Sequence, residues 1–189
     1  MISRKLPSDW SRRLADHAHA VDGYRAAVDA LSRDAWMEPL APGKWTPAEV
    51  TAHVIEAYRV LTAELAGAAG MRMLGSSLQR LVLRHTMLPR LLAGKPFPAG
   101  VRAPRETRPR EILANPGSAL AELARLAEEF TRDLSDKAAA QERGRLTHAY
   151  FGLLSLRQGL ELLTVHTRHH ARQLAAATDR RDLNPSSGH

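Results

Sequence analysis

The stretch TVHTRHHARQL carries three histidines within five positions, at His166, His169 and His170. His166 and His170 are four residues apart, so a helix would place both imidazoles on one face, where they can reach a single ion. His169 would lie about 100° away from His170 and is predicted to be solvated or at an interface. The pair falls on an apolar stripe, where unpaired imidazoles are costly to bury. The spacing alone is a weak signal for a metal site, and two satisfied core histidines are the alternative.

A third histidine directed toward the core, His53, lies on another predicted helix, beside an apolar stripe. Three neutral imidazoles from two helices would leave open coordination positions, as catalytic rather than structural zinc sites do. The pattern is not HExxH, because Thr167 stands where that motif needs a glutamate. Glu56 and Gln173 lie one turn from candidate ligands, but the sequence assigns neither as general base, so the catalytic residues stay unknown.

Other residues near these motifs leave two roles open. Trp45 is expected to pack against the end of the bundle, with stacking on a substrate as the alternative. His148 could face the site or cap a turn, and Phe151 with Gly152 is expected to shape that turn. His85 lies on an apolar stripe and is expected to be buried or interhelical.

Helical patterns account for most of the chain, residues 94–116 are predicted to form mostly a long irregular connection rich in Pro and Arg, and no strand or hairpin is predicted. Ser8 or Asp9 can cap the first helix, and Thr46 with Pro47 and Glu49 forms a capping box for the second. A third helical stretch spans 71–93 and is expected to turn its leucines inward and its arginines outward. Asn115 with Pro116 starts the next helix, and Ser155 with Gln158 caps the last one. The fold class is therefore all-α, four long helices plus one inserted helix.

Length and charge favour one domain with a basic insert. The chain has 189 residues, with a predicted core over about 8–178, a basic insert at 71–116 and a disordered tail at 179–189. Residues 71–110 hold nine Lys or Arg and one acid, Glu106, so the net charge of this segment is +8. The net charge of the whole chain is +7, so the remainder is about neutral. No nucleic-acid motif accompanies the charge, so no specific nucleic-acid partner is expected.

Targeting signals are absent from the sequence. No apolar run reaches 18 residues and the N-terminus lacks a secretory pattern, so we expect no transmembrane segment and a cytoplasmic location. There is no cysteine, which excludes disulfides, thiolate ligands and a cysteine nucleophile. A homodimer is left open.

Two strings carry a family resemblance. GKWTPAEVTAHVIEAY resembles the W-[ST]-x-x-E-x-x-x-H opening of the second helix in the DinB/YfiT-like superfamily. THAYFGLLSLRQGLELLTVHTRHHARQL is similar to its H-P-x-F-G-x-L-S element followed by H-x-x-x-H-x-x-Q, with Ala149 in place of the proline. The resemblance implies a four-helix bundle with an up-up-down-down course and a divalent metal held by three histidines. Carried over residue by residue, the ligands are His53, His166 and His170.

The resemblance also implies a class of function. The superfamily includes thiol-dependent transferases and isomerases, so we expect a divalent-metal-dependent enzyme, with zinc or nickel activating water or a low-molecular-weight thiol on a small-molecule substrate. Hydrolase and thiol S-transferase activity both stay open. The alternative is a non-catalytic helical module that binds a metal or an anionic surface.

Overall fold

The structure is a computed structural model, and it describes residues 8–98, 100–140 and 144–182. Five α-helices, two short 3-10 helices and one pair of strands make up this part of the chain. Their bounds, in chain order, are α1 Ser8–Asp29, a 3-10 turn Asp34–Met37, α2 Pro47–Leu65, α3 Ser77–Leu92, a 3-10 turn Arg105–Thr107, α4 Pro116–Ala139, β1 Arg145–His148, β2 Gly152–Ser155 and α5 Leu156–Asp182.

Two of the predicted helix starts are confirmed by their capping bonds. The Thr46 hydroxyl accepts from the Glu49 N–H at 3.1 Å, and the Glu49 carboxylate accepts from the Thr46 N–H at 2.8 Å. The Ser155 hydroxyl likewise accepts from the Gln158 N–H at 3.2 Å, and the Gln158 side chain accepts from the Ser155 N–H at 3.1 Å. Each box satisfies backbone donors that would otherwise lack a partner in the first turn.

Helices α1 and α5 pack side by side and run in the same direction. Near their first turns, the Arg157 guanidinium lies 2.8 Å from the Asp9 carboxylate. Farther along both helices, Arg168 pairs with Asp16. Because the pairing advances along both helices together, α1 and α5 are parallel.

Helix α2 runs opposite to α1. The Tyr24 hydroxyl, late in α1, lies 2.8 Å from Thr51 Oγ1, early in α2, whereas His17 contacts Tyr58 farther along α2. Helix α4 starts at the same end as α2, because Trp36, just beyond α1, donates to the carbonyl of Leu113, just before α4, at 3.0 Å.

In chain order the four long helices therefore run up, down, down and up. This corrects the predicted up-up-down-down course, although the all-α four-helix bundle itself is confirmed. Since α2 and α4 are parallel, the chain must return along the bundle between them, and the connection over 66–115, which contains α3, makes that return. Only in spatial order around the bundle (α1, α5, α2, α4) do the directions read up, up, down, down.

A β-hairpin joins α4 to α5, and the prediction of no strand is wrong at this point. Strands β1 and β2 pair antiparallel with His148 opposite Gly152. Gly152 has a φ of 71°, a conformation that glycine adopts without a steric penalty. The Glu64 carboxylate, at the end of α2, accepts from the Thr147 N–H at 2.9 Å and from its hydroxyl at 2.6 Å, which ties the hairpin to the bundle.

The bundle core lies between α1, α2, α4 and α5, and it is filled by large side chains. Fully buried members include Tyr24, Tyr58, Phe130, Leu160 and Leu174. A second, smaller apolar cluster holds α3 against the hairpin and α5; its buried members are Leu88, Leu91, Phe151, Leu154 and Leu162.

Helix α3 differs from its prediction. It begins at Ser77, behind a capping box of Ser76 and Gln79, rather than at residue 71. Of the predicted inward stripe, Leu88 is buried, but Leu78, Leu81 and His85 are exposed. The expectation of a buried or interhelical His85 is therefore wrong.

At the other end of the chain, α5 continues through Asp182, so the first residues of the predicted tail, 179–182, are helical. The rest of that predicted tail, 183–189, lies outside the described residues. Within the described part of the chain, no helix is long and apolar enough to cross a membrane.

Candidate metal centre

The structure brings the three predicted ligands together at the interface of α2 and α5. His53 Nε2 lies 3.0 Å from His166 Nε2, and His170 Nε2 lies 3.1 Å from the same atom. His53 and His170 are buried and His166 is partly buried. Among the residues that the structure describes, these three form the one group of histidines and acids close enough to share an ion.

Hydrogen bonds on the far sides of two rings orient them. The backbone carbonyl of Thr107 lies 2.6 Å from His53 Nδ1, and because a carbonyl only accepts, Nδ1 carries the hydrogen. His170 Nδ1 lies 2.9 Å from Gln173 Oε1 and donates to it. In a neutral imidazole the other nitrogen is then an acceptor, so both Nε2 lone pairs face the centre of the cluster.

The three facing nitrogens cannot satisfy one another. His166 Nε2 has at most one hydrogen to donate, while His53 and His170 each present a lone pair to it. A cation at the centre would bind all three. Nitrogens bound tetrahedrally to zinc lie about 3.3 Å apart, as calculated from typical zinc–nitrogen bond lengths. The observed separations of 3.0 and 3.1 Å are close to that value, so the donor set fits a divalent ion.

Burial keeps the three side chains neutral. It lowers the pKa of His170 to about 3, with the neighbouring His53 and His169 adding to the effect. Burial and the adjacent histidines also lower the pKa of His166 well below its ordinary value. For His53 burial again lowers the pKa, opposed by the bond to Thr107. Neutral imidazole is the form that binds a metal, so no proton has to be displaced at neutral pH.

Two aromatic rings flank the cluster. The Trp45 ring centroid lies 5.2 Å from that of His53, and the Phe97 centroid lies 6.0 Å from that of His166. Both rings are partly exposed. Trp45 thus packs against the bundle, as predicted, and also borders the candidate site.

His169 and His148 lie near the cluster without joining it. The ring of His169 lies 4.9 Å from that of Phe97 and is partly buried, less solvated than predicted. His148 Nδ1 accepts from the Tyr150 N–H at 3.2 Å, so it caps the hairpin turn, and burial lowers its pKa to about 4.

Glu56 and Gln173, which lie one turn from the predicted ligands, have distinct roles. Gln173 bonds to a ligand, as described above. The buried carboxylate of Glu56 pairs with Arg59, which also lies 3.0 Å from Glu122 on α4. Arg59 thus links α2 to α4, and Glu56, held in the ion pair with Arg59, is not a free base.

One buried histidine was missed. His17, expected at the edge of α1 or outside its apolar face, is 1% exposed and contacts Thr164 Oγ1 at 3.1 Å and the Tyr58 hydroxyl at 3.2 Å. Its position three residues after Leu14 and four before Val21 is the signal that could have placed it inward.

Comparison with known proteins agrees with this fold. The sequence profile of the DinB superfamily matches residues 18–174, most of the chain. The chain belongs to the DinB superfamily. No curated protein matches the sequence.

A solved structure of similar fold is that of YfiT from Bacillus subtilis, which is described as "a probable metal-dependent hydrolase with an unusual four-helix bundle topology". It aligns over 96% of this chain and 93% of its own, with a TM-score of 0.61 and 15% sequence identity. At that identity the likeness shows the DinB-type fold alone. The predicted family and bundle are confirmed.

Proposed function

We propose that this DinB-superfamily protein is a divalent-metal-dependent enzyme whose ion is held by His53, His166 and His170. The observation that carries the proposal is the convergence of three Nε2 atoms with no hydrogen-bonding solution of their own. Zinc and nickel are the expected metals, because the donor set is three imidazoles with no thiolate or carboxylate.

The residues around the cluster suit a small-molecule reaction of water or a thiol. A divalent ion held by three neutral ligands acts as a Lewis acid and lowers the pKa of a bound water or thiol. Thr107 and Gln173 orient two of the imidazoles, and Trp45 and Phe97 border the cluster with apolar surface. Since the chain has no cysteine, the nucleophile must come from water or from a low-molecular-weight thiol. Hydrolase and thiol S-transferase activity are thus the proposed classes. The description of YfiT as a probable metal-dependent hydrolase favours hydrolysis.

A metal-binding module without turnover is the second candidate. The observation that favours it is the pairing of buried Glu56 with Arg59, which leaves the cluster without the carboxylate base that was considered. Activity on a panel of thiol-linked and hydrolysable substrates would support the enzyme, whereas stoichiometric metal with no turnover on such a panel would support the module. The cytoplasmic location, the single domain over 1–189 and a homodimer stay predictions.

Metal analysis of protein purified without a chelator or a nickel column tests the proposal. We expect about one zinc or nickel ion per chain, either as purified or after reconstitution and gel filtration. The matched control is His169→Ala, which alters the same helix but no proposed ligand. A metal content near zero, unchanged after reconstitution, would falsify the site.

A further inference from the structure

Helix α3 turns a row of aliphatic side chains toward solvent. Leu78, Leu81 and Val82 are 69%, 53% and 51% exposed. Their spacing places them on one face of the helix, here called the outer face of α3. An exposed apolar face of this kind on a folded protein marks an interaction site more often than a solvated surface.

Two arginines in the first half of the same helix, Arg80 and Arg84, lie on the side opposite the outer face. Arg80 donates to the carbonyl of Gly75 at 2.6 Å, and Arg84 donates to the carbonyl of Leu153 in the hairpin at 2.7 Å. The first half of α3 is therefore anchored through cations on backbone oxygens, while its leucines are left outside. This arrangement is the reverse of a helix that packs its apolar face against its own domain.

Exposed cations lie in the same segment of the chain as this face. Residues 71–110 hold nine Lys or Arg against the single acid Glu106, whose carboxylate accepts from the backbone N–H of Arg72. The exposed members are Arg72, Arg90, Lys95, Arg102, Arg105, Arg108 and Arg110. The same stretch, extended to residue 112, also holds most of the exposed large apolar residues of the described chain: Met73, Leu74, Leu78, Leu81, Val82, Val101 and Ile112.

We propose that the segment 71–112 docks this protein on the surface of an anionic lipid bilayer. The outer face of α3 would insert at the depth of the headgroups, and the exposed cations of the segment would contact lipid phosphates. No described helix can span a bilayer, so the protein would lie on the membrane rather than cross it.

Charge complementarity favours lipid over other occupants. Two copies joined through this segment would bring together two regions of net charge +7, with nine cations against Glu106 and Glu111 in each. Nucleic acid would neutralise the charge but would leave the leucines of α3 in water. An anionic bilayer satisfies both the cations and the aliphatic face.

Sedimentation of the full chain with vesicles tests the proposal. Vesicles of phosphatidylcholine alone are compared with vesicles containing about 30% phosphatidylglycerol, at about 150 mM salt, where surface charges are partly screened. We expect partition onto the anionic vesicles to be at least about tenfold stronger, since each cation near the surface contributes several-fold. Equal binding to both vesicles, or none, would overturn the proposal.

Two variants of equal charge change separate docking from general electrostatics. Leu81→Glu removes an apolar side chain that is 53% exposed within the outer face, and Met37→Glu removes one that is 52% exposed elsewhere. We expect Leu81→Glu to lower partition at least about tenfold and Met37→Glu about twofold or less. Circular dichroism checks that both variants are folded. Equal losses in the two variants would contradict a docking role for α3.

Two further measurements expose the competing occupants. A dimer seen by light scattering without lipid, and lost in Leu81→Glu, would assign the face to a second copy and overturn the proposal. Binding of duplex DNA at the same salt, unaffected by Leu81→Glu and stronger than vesicle binding, would overturn it in favour of nucleic acid. His166→Ala should bind vesicles as the wild type does, so the test is independent of the metal proposal.

Discussion

His17 and the cluster of His53, His166 and His170 lie in the same bundle and make different kinds of contact. His17 meets hydroxyls on both nitrogens, Thr164 Oγ1 at 3.1 Å and the Tyr58 hydroxyl at 3.2 Å. In the other group the Nε2 atoms of His53 and His170 meet only another imidazole, that of His166. Burial lowers the pKa in both groups, to about 4 for His17 and to about 3 for His170. Burial and pKa therefore do not distinguish the groups, whereas the partner atoms do.

The hydroxyl network around His17 is complete with a neutral ring. Tyr58 can donate to His17 Nε2, and His17 Nδ1 can donate to Thr164. Thr164 in turn donates to the carbonyl of Leu160 at 2.8 Å, and Thr167 donates to that of Leu163 at 2.9 Å. Both ring nitrogens of His17 are thus satisfied in one neutral tautomer, so His17 needs nothing further. The three-histidine cluster has no such assignment, and this difference supports the proposal that the cluster holds a cation.

The largest expected effect is the loss of a ligand. His53→Ala, His166→Ala and His170→Ala should each weaken metal binding at least about 1,000-fold, because losing an outer hydrogen bond alone costs up to about 100-fold. His169→Ala and His17→Ala should bind metal as the wild type does. Equilibrium dialysis measures the affinities, and circular dichroism checks the fold.

The bundle should survive the ligand substitutions, since most of its buried surface is leucine, alanine and aromatic. Equal loss of metal in His169→Ala, or full retention in His53→Ala, would show that the ligands are wrongly named. Loss of metal in His17→Ala by a folded protein would remove the contrast between the two groups.

The second expectation concerns stability rather than metal. His17→Ala should lower the free energy of unfolding by about 3 kcal/mol, because it leaves a cavity and removes a partner from the buried hydroxyls of Tyr58 and Thr164. Urea titration of the metal-free protein measures this change. Since His17 is 1% exposed, a change below about 0.5 kcal/mol, the size of an ordinary surface substitution, would contradict its place in the network.

The third expectation is a pH dependence with a defined sign. The pKa of His17 falls from 6.5 to about 4 on folding. The unfolded chain then binds the proton more readily, so the contribution of His17 is fully present above pH 6.5 and is lost as the pH falls toward 4. At pH 5 the loss is about 2 kcal/mol relative to pH 8.

A comparison with His17→Gln isolates this contribution from other titrating groups. Glutamine keeps hydrogen-bonding atoms but does not titrate. The wild type should lose about 2 kcal/mol more than the variant between pH 8 and pH 5, with metal removed from both. Parallel pH profiles of the two proteins would mean that His17 does not titrate as its burial implies.

The sequence predicted the three clustered histidines better than the hydrogen bonds that orient them. His166 and His170 follow from helical spacing, and His53 from its place beside the stripe of α2. The bond from Thr107 to His53 could not be predicted, because a backbone carbonyl on an irregular segment, 54 residues away, leaves no pattern in the sequence. Gln173 was noticed only as a neighbour one turn beyond His170.

Three features of the fold were mispredicted because sequence patterns are local. An apolar stripe shows that a face can be buried but not which way the helix runs, so the direction of α2 relative to α1 was not determined. In α3 the leucine stripe was assigned to the interior, but carbonyls of the turn before α3 and of the hairpin bind Arg80 and Arg84 there. Four-residue strands are too short to show an alternating pattern, which hid the hairpin.

The smallest expected effect concerns Gln173, which orients one ligand. Gln173→Ala should weaken metal binding roughly tenfold, because His170 loses the acceptor that keeps the hydrogen on Nδ1 and the lone pair on Nε2. Gln173→Glu should keep or strengthen binding, because a carboxylate can only accept from Nδ1 and makes the imidazole a better donor to the metal. If the amide instead donates to Nδ1, Gln173→Ala binds metal at least as tightly as the wild type, and Gln173→Glu strengthens binding by drawing the hydrogen from Nε2 to Nδ1. Zinc competition titrations of the two variants and the wild type therefore decide which tautomer His170 adopts, and equal affinity in all three would remove Gln173 from the site.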